Sequence, residues 1–174
     1  MGAMISAIVT TLNDAPRLGA TLSALAPAAV DGLVRELIVA DGGSSDATLD
    51  MAEEAGARII TGRRDRVLGE ARAAARQPWL LILPAGARLQ VGWEAAVLGH
   101  MRRKTKARGW FRLSLADEGL AARADELWAH ALARLGHIRP EQGLLVPNTL
   151  PKPQALPARP VRARILVGAG EALN

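Results

Sequence analysis

A repeated alternation constrains this chain more than any other feature. Short apolar runs at Ile5–Thr10, Glu36–Asp41, Arg58–Ile60 and Trp79–Leu83 are separated by stretches with helical spacing. Leu18, Leu22 and Leu25 recur as a helix stripe after Pro16, up to Pro27. In "GGSSDATLDMAEEAGA", Ser44 or Ser45 is the expected N-cap, acids fill the opening turns and Gly56 is the stop. Val67–Arg76 reads as a third helix. Strands with no polar face must be covered on both sides, so the pattern predicts an α/β fold whose mainly parallel sheet is flanked by helices. Right-handed crossovers then gather the strand carboxyl ends on one edge, where ligands of open α/β sheets bind.

Further along, Val91–Arg103 is expected to be helical, and Gly109–Leu115 alternates like a strand. Leu120–Leu135 carries an apolar stripe at helical spacing, suited to packing on a core rather than to lying on a membrane surface. After Pro147 the texture changes: "PNTLPKPQALPARP" holds five prolines and predicts an extended arm. Residues 1–146 are therefore read as the folded domain and 147–174 as a Pro-rich C-terminal arm, in which Val161–Val167 could return as one edge strand.

Composition narrows the function classes. At 174 residues the chain can bury a proper core, and it has no cysteine, which excludes disulfides and thiolate metal sites. No apolar run nears the roughly 20 residues a bilayer span needs. The opening "MGAMISAIVTTLND" is too short and too uncharged for a signal peptide, so a cytoplasmic protein is expected. The net charge of +5 comes almost wholly from arginine, since only Lys104, Lys106 and Lys152 are lysines. Such a balance suits phosphate-bearing ligands, nucleic acid or an acidic surface, and equally reflects GC-rich coding. Nucleic acid is not expected: one Phe, no Tyr and four scattered Trp make a poor stacking platform.

Chemistry could sit at the strand ends. Thr10, Thr11 and Asn13 offer hydroxyls and an amide after the first strand. Asp41 stands at the tip of the second, followed by Gly42, Gly43, Ser44, Ser45 and Asp46. A carboxylate there can accept from a base or ribose while adjacent amides face a phosphate; a turn that merely starts a helix reads the same way. Arg63, Arg64, Arg66, Arg72 and Arg76 cluster about the third helix, as bidentate diphosphate donors or as a solvated face. His100, His130 and His137 show no ligand spacing.

Taken together, "SAIVTTLNDAPRLGATLSAL", "LIVADGGSSDATLDMAEEAGARII" and "GRRDRVLGEARAAARQPWLLILPAGARLQVGW" resemble, in order and spacing, the family 2 glycosyltransferases of the GT-A fold, over about residues 4–146. The resemblance implies a nucleotide-sugar donor, usually a UDP-sugar. Thr10 and Asp41 match positions that contact base and ribose, and Arg63, Arg64 or Arg66 match a basic loop near base and phosphates. "PEQGLLV" is similar to a later block and makes Glu141 the candidate base of an inverting displacement, against the alternative of a solvated loop acid.

One departure stands out. The acidic metal motif of that family falls on Pro84, Ala85 and Gly86, which carry no carboxylate, so no divalent metal or other cofactor is expected. Arg88, two residues on, could supply a fixed positive charge instead, or pair with Glu94. Two readings follow: a glycosyltransferase working without the usual metal, or a catalytically degenerate module that binds a nucleotide sugar, a partner protein or a second copy of itself.

Overall fold

The computed structural model describes residues 4–103, 108–115, 143–149 and 158–167. Its elements are β1 (Ile5–Thr11), α1 (Ala15–Val30), β2 (Val34–Asp41), α2 (Thr48–Glu54), β3 (Arg58–Thr61), α3 (Val67–Ala74), β4 (Trp79–Pro84), β5 (Ala87–Leu89), α4 (Trp93–Arg102), β6 (Arg108–Leu115), β7 (Leu144–Pro147) and β8 (Ala158–Val167). One sheet runs in the order β3-β2-β1-β4-β7-β6-β8-β5. The β3-β2-β1-β4 half is parallel, and β7 joins it antiparallel to β4.

Alternation along β1 and β4 splits the core between the two faces of the sheet. Ala7, Val9, Leu81 and Leu83 turn to one face, where Leu18 and Leu25 of α1 and Trp93 and Val97 of α4 complete a cluster. Ile8, Leu80 and Ile82 turn to the other, against Val67 and Ala71 of α3. That is the two-sided burial expected of strands with no polar face.

Several boundaries differ from expectation for local reasons. Pro27 lies inside α1, which continues to Val30. The last turn survives because the Pro27 carbonyl still accepts from Asp31 N–H at 2.9 Å, and Ala28 is buried. Neither Ser44 nor Ser45 is the N-cap of α2; that position is Ala47, which makes no side-chain cap. Asp46, one residue earlier, instead accepts from the Thr48 amide at 3.1 Å. Gly56 does end the second helical stretch, with φ +69° and its N–H on the Glu53 carbonyl.

The strand expected at the sheet edge near Val161–Val167 is not an edge: β8 runs between β6 and β5. Three-residue β5 takes the edge, pairing Ala87, Arg88 and Leu89 with Val167, Leu166 and Ile165. β5 and β7 are too short to announce themselves by periodicity. The stretch 120–135 lies outside the described residues.

Candidate functional site

In the parallel half, the chain moves from β1 to β2 to β3 in one direction and then returns to place β4 on the other side of β1. The crevice beyond the carboxyl ends of β1 and β4 is therefore the topological switch point, where open α/β sheets take their ligands. Residues 10–17, 41–48 and 84–86 surround it.

The β1 and β2 ends are joined through Asp41, which is fully buried. Its Oδ1 accepts from Thr11 Oγ1 at 2.8 Å and from the Ser44 hydroxyl. Oδ2 accepts from the amides of Gly43 at 2.8 Å and Ser44 at 2.7 Å. A carboxylate offers about four acceptor sites, so the chain's own donors use this group's capacity. Burial pushes the Asp41 carboxyl up, but the Ser44 hydroxyl and amide, the Thr11 hydroxyl and the Gly43 amide outweigh it. The group ends below its ordinary value. Its evident work is to fold the 42–45 loop tightly, which the φ of +104° at Gly43 permits.

A second set of bonds fastens that loop to the start of α1. Asn13, at φ 53°, donates its amide to Ser44 Oγ at 2.8 Å and accepts from Ser45 N–H at 2.8 Å. Thr48 Oγ1 accepts from Asp14 N–H at 2.9 Å and donates to Asp46 Oδ1. Asp46 Oδ2 accepts from Ala15 N–H at 3.2 Å. The Thr48 hydroxyl leads the causes that lower the Asp46 carboxyl, against burial and with the amides of Ala15 and Thr48.

Of the residues picked from sequence, Thr10 is half-buried and its hydroxyl faces the Leu83 carbonyl at 3.5 Å. Arg64 stands beside the second strand end, its Cβ 3.6 Å from where a Cβ on Gly42 would be. Arg63 is exposed and paired to Asp65, Nε to Oδ1 at 3.1 Å. Arg66 is exposed as the N-cap residue of α3. Arg88 is exposed on β5, and among the described residues it makes no ion pair with Glu94 or any other acid. Glu141 lies outside the described residues.

Sequence reasoning passed over Asp14, Thr48 and Arg17. The Arg17 carbonyl accepts from Gly86 N–H at 3.1 Å, and Arg17 Nη1 lies 3.5 Å from Asp14 Oδ1. The i,i+3 spacing of Asp14 and Arg17 was the available signal.

The family model described as "Glycosyl transferase family 2" matches residues 6–111, more than half the chain and, but for Ile5, the whole β3-β2-β1-β4 half of the sheet. The chain belongs to this family. Glucosyl-3-phosphoglycerate synthase of Mycolicibacterium paratuberculosis is 41% identical to this chain over 69 residues, covering 40% of this chain and 20% of the relative. The Mycobacterium tuberculosis synthase is 39% identical over the same length. Its crystal structure with Mn2+, uridine diphosphate and glucosyl-3-phosphoglycerate has a TM-score of 0.61 at 20% identity, covering 84% of this chain and 57% of that one. A structure described as a mycobacterial protein has a TM-score of 0.67 at 20% identity, covering 96% and 66%. The GT-A-like α/β fold is thereby established, and this chain spans a fifth of the curated relatives and a little over half of the solved synthase.

Some of those solved structures are described with Mn2+, so the strand end that would hold an ion bears testing. Its residues do not fit one. Pro84, Ala85 and Gly86 have no side-chain donor. The Pro84 carbonyl faces Thr21 Oγ1 at 3.5 Å, and Ala85 N–H is spent on the Thr10 carbonyl at 3.1 Å. Among the described residues no group of three or more His, Cys, Asp or Glu could hold a metal. Nor is any helix among them long and apolar enough to cross a membrane.

Proposed function

We propose that this chain is a glycosyltransferase that moves a sugar from a UDP-sugar donor to an acceptor hydroxyl without an acid-held divalent metal. The observation that carries the reading is the loop held by Asp41 at the switch point, in a chain of family 2. Asp41 keeps the 42–45 loop and the Thr10–Thr11 strand end in one shape, against which base and ribose rest. Arg64, with Arg63 and Arg66, supplies donors for base and phosphates. The synthases in the solved structures take uridine diphosphate and UDP-glucose, which makes UDP-glucose the first donor to try.

In the reaction, the acceptor hydroxyl attacks the anomeric carbon as the bond to the diphosphate breaks. The leaving oxygen keeps the electron pair, fixed arginines stabilise its charge, and Glu141 takes the acceptor proton. Residues 1–146 form the nucleotide-sugar unit on this reading, 147–174 add β8 to the far side of the sheet, and the protein works in the cytoplasm.

The absence of any carboxylate at Pro84–Gly86 also favours a second reading, a module that binds the nucleotide sugar, a partner protein or a second copy without turnover. Calorimetric titration with uridine diphosphate, followed by assay of its release from UDP-glucose, separates the two. Binding with turnover that Glu141→Gln abolishes supports the transferase. Binding without turnover against a panel of acceptors supports the module, and no binding of any nucleotide removes both nucleotide readings.

A further inference from the structure

We infer that Arg17 supplies the cation that faces the diphosphate of a bound nucleoside diphosphate, at the place where an acid-held metal would otherwise act. The inference rests on the nucleotide-sugar reading above and goes beyond it by naming the group that replaces the ion.

Arg17 occupies the first turn of α1, directly after the β1 strand end, and so sits over the switch point between β1 and β4. A Cβ built on Gly86 would lie 3.5 Å from Arg17 Cβ, 3.8 Å from Cγ and 3.9 Å from Nε. The Arg17 side chain thus runs along the face of Gly86, in the space an acidic side chain there would enter. The Gly86 amide, bonded to the Arg17 carbonyl at 3.1 Å, fixes the two residues to each other through the backbone. Position 86 carries no acid, and the Arg17 side chain lies where one would project.

The head group is also available. Its single bond goes to Asp14 Oδ1 from Nη1 at 3.5 Å, and the side chain is 43% exposed. Among the described residues its other N–H groups meet no protein acceptor. Asp14 is itself anchored by Leu12 N–H on Oδ2 at 2.9 Å, so it restrains the guanidinium without enclosing it. A planar fork held at one corner can present two parallel donors to phosphate oxygens. A guanidinium brings a positive charge, which is what stabilisation of a departing diphosphate requires. Arg88 is the weaker candidate, because it lies past Gly86 on edge strand β5, paired with Leu166.

The test is calorimetric titration of the full chain with uridine diphosphate and with uridine, in manganese and in chelator, for wild type, Arg17→Ala, Arg17→Lys and Arg88→Ala. The expected result is wild-type binding that chelator leaves unchanged. Arg17→Ala should then weaken uridine diphosphate about tenfold or more while leaving uridine unaltered. Arg17→Lys, which keeps the charge but not the fork, should fall between, and Arg88→Ala should match wild type. Wild-type affinity in both Arg17 variants overturns the inference and leaves the nucleotide reading standing, as does binding that needs manganese. Equal losses for uridine and uridine diphosphate make Arg17 a structural residue and also overturn it. Failure of the wild type to bind either ligand overturns both.

Discussion

Thr11 Oγ1 lies 2.8 Å from Asp41 Oδ1, and that bond joins the ends of two parallel strands inside the core. Thr11 and Asp41 are register partners on β1 and β2, so the sheet itself brings them level. The carboxylate then collects Gly43 and Ser44, and the loop that borders the switch point takes its shape from one side chain.

Asp41→Asn should therefore damage stability as well as any ligand binding. An amide cannot accept from four donors, and its own N–H groups would face the amides of Gly43 and Ser44. Losing charge-assisted bonds at a buried site costs about 2–4 kcal/mol, to be read from the midpoint of urea unfolding. A stability close to wild type would mean that the loop does not depend on this group.

The same carboxylate sets an acid limb in the stability profile. The folded-state value of Asp41 is below the unfolded one, so its contribution is fully present above the ordinary value of 3.8. As pH falls from there through the folded-state value, the unfolded chain binds the proton first and stability declines. Asp46 acts in the same direction from an exposed position. Urea unfolding below pH 4 should show a steep loss in wild type and a shallower one in Asp41→Asn.

At the opposite end of the strands, Glu36 accepts from buried Ser6 Oγ and from Arg76 N–H at 2.9 Å. The Ser6 hydroxyl accepts in turn from Gln77 N–H at 3.2 Å, so the group latches the turn that leads into β4. Glu36→Ala should lower stability by about 1–3 kcal/mol through the unsatisfied Ser6 and Arg76 donors. Ser6 is about 16 Å along β1 from Thr11 at a strand's rise, so uridine diphosphate affinity should not change. A parallel loss of affinity would show that this end of the sheet is coupled to the crevice.

Gly86→Asp asks whether a metal site can be rebuilt by restoring one acid. Gly86 has φ +88°, and a non-glycine residue there costs about 1–2 kcal/mol. The new carboxylate would project toward Arg17 and pair with it rather than with an ion. Thermal melts should show lower stability and no stabilisation by manganese. A manganese-dependent rise in Tm would show that the strand end can still be converted.

How much of this was legible depended on how far apart the interacting residues lie. The strands β1, β2 and β4 are readable because burial on both faces leaves an apolar run in each, while edge strand β3 shows only Ile59 and Ile60 between two exposed residues. Gly56 is readable because a positive φ has few alternatives. Pro27 misleads, since a proline near the last turn loses one bond while the carbonyls that end the helix remain usable. Ser44 and Ser45 mislead for another reason: a hydroxyl that suits an N-cap also suits the Asp41 carboxylate three residues back and the Asn13 amide of the turn after β1.

What the sequence determines by itself is local: the two-sided strands, the helices between them, the absence of carboxylates at Pro84–Gly86 and the family that the strand-end motifs imply. Parallel pairing, by contrast, depends on crossovers that no short window contains. Only the tertiary structure decides that β4 lies beside β1 and that β8 fills the space between β6 and β5. The same folding turns Asp41 inward and lays Arg17 across Gly86, from residues far apart along the chain. Contacts of that range leave no periodic trace, because they are set by the register of neighbouring strands and not by the spacing within any one of them.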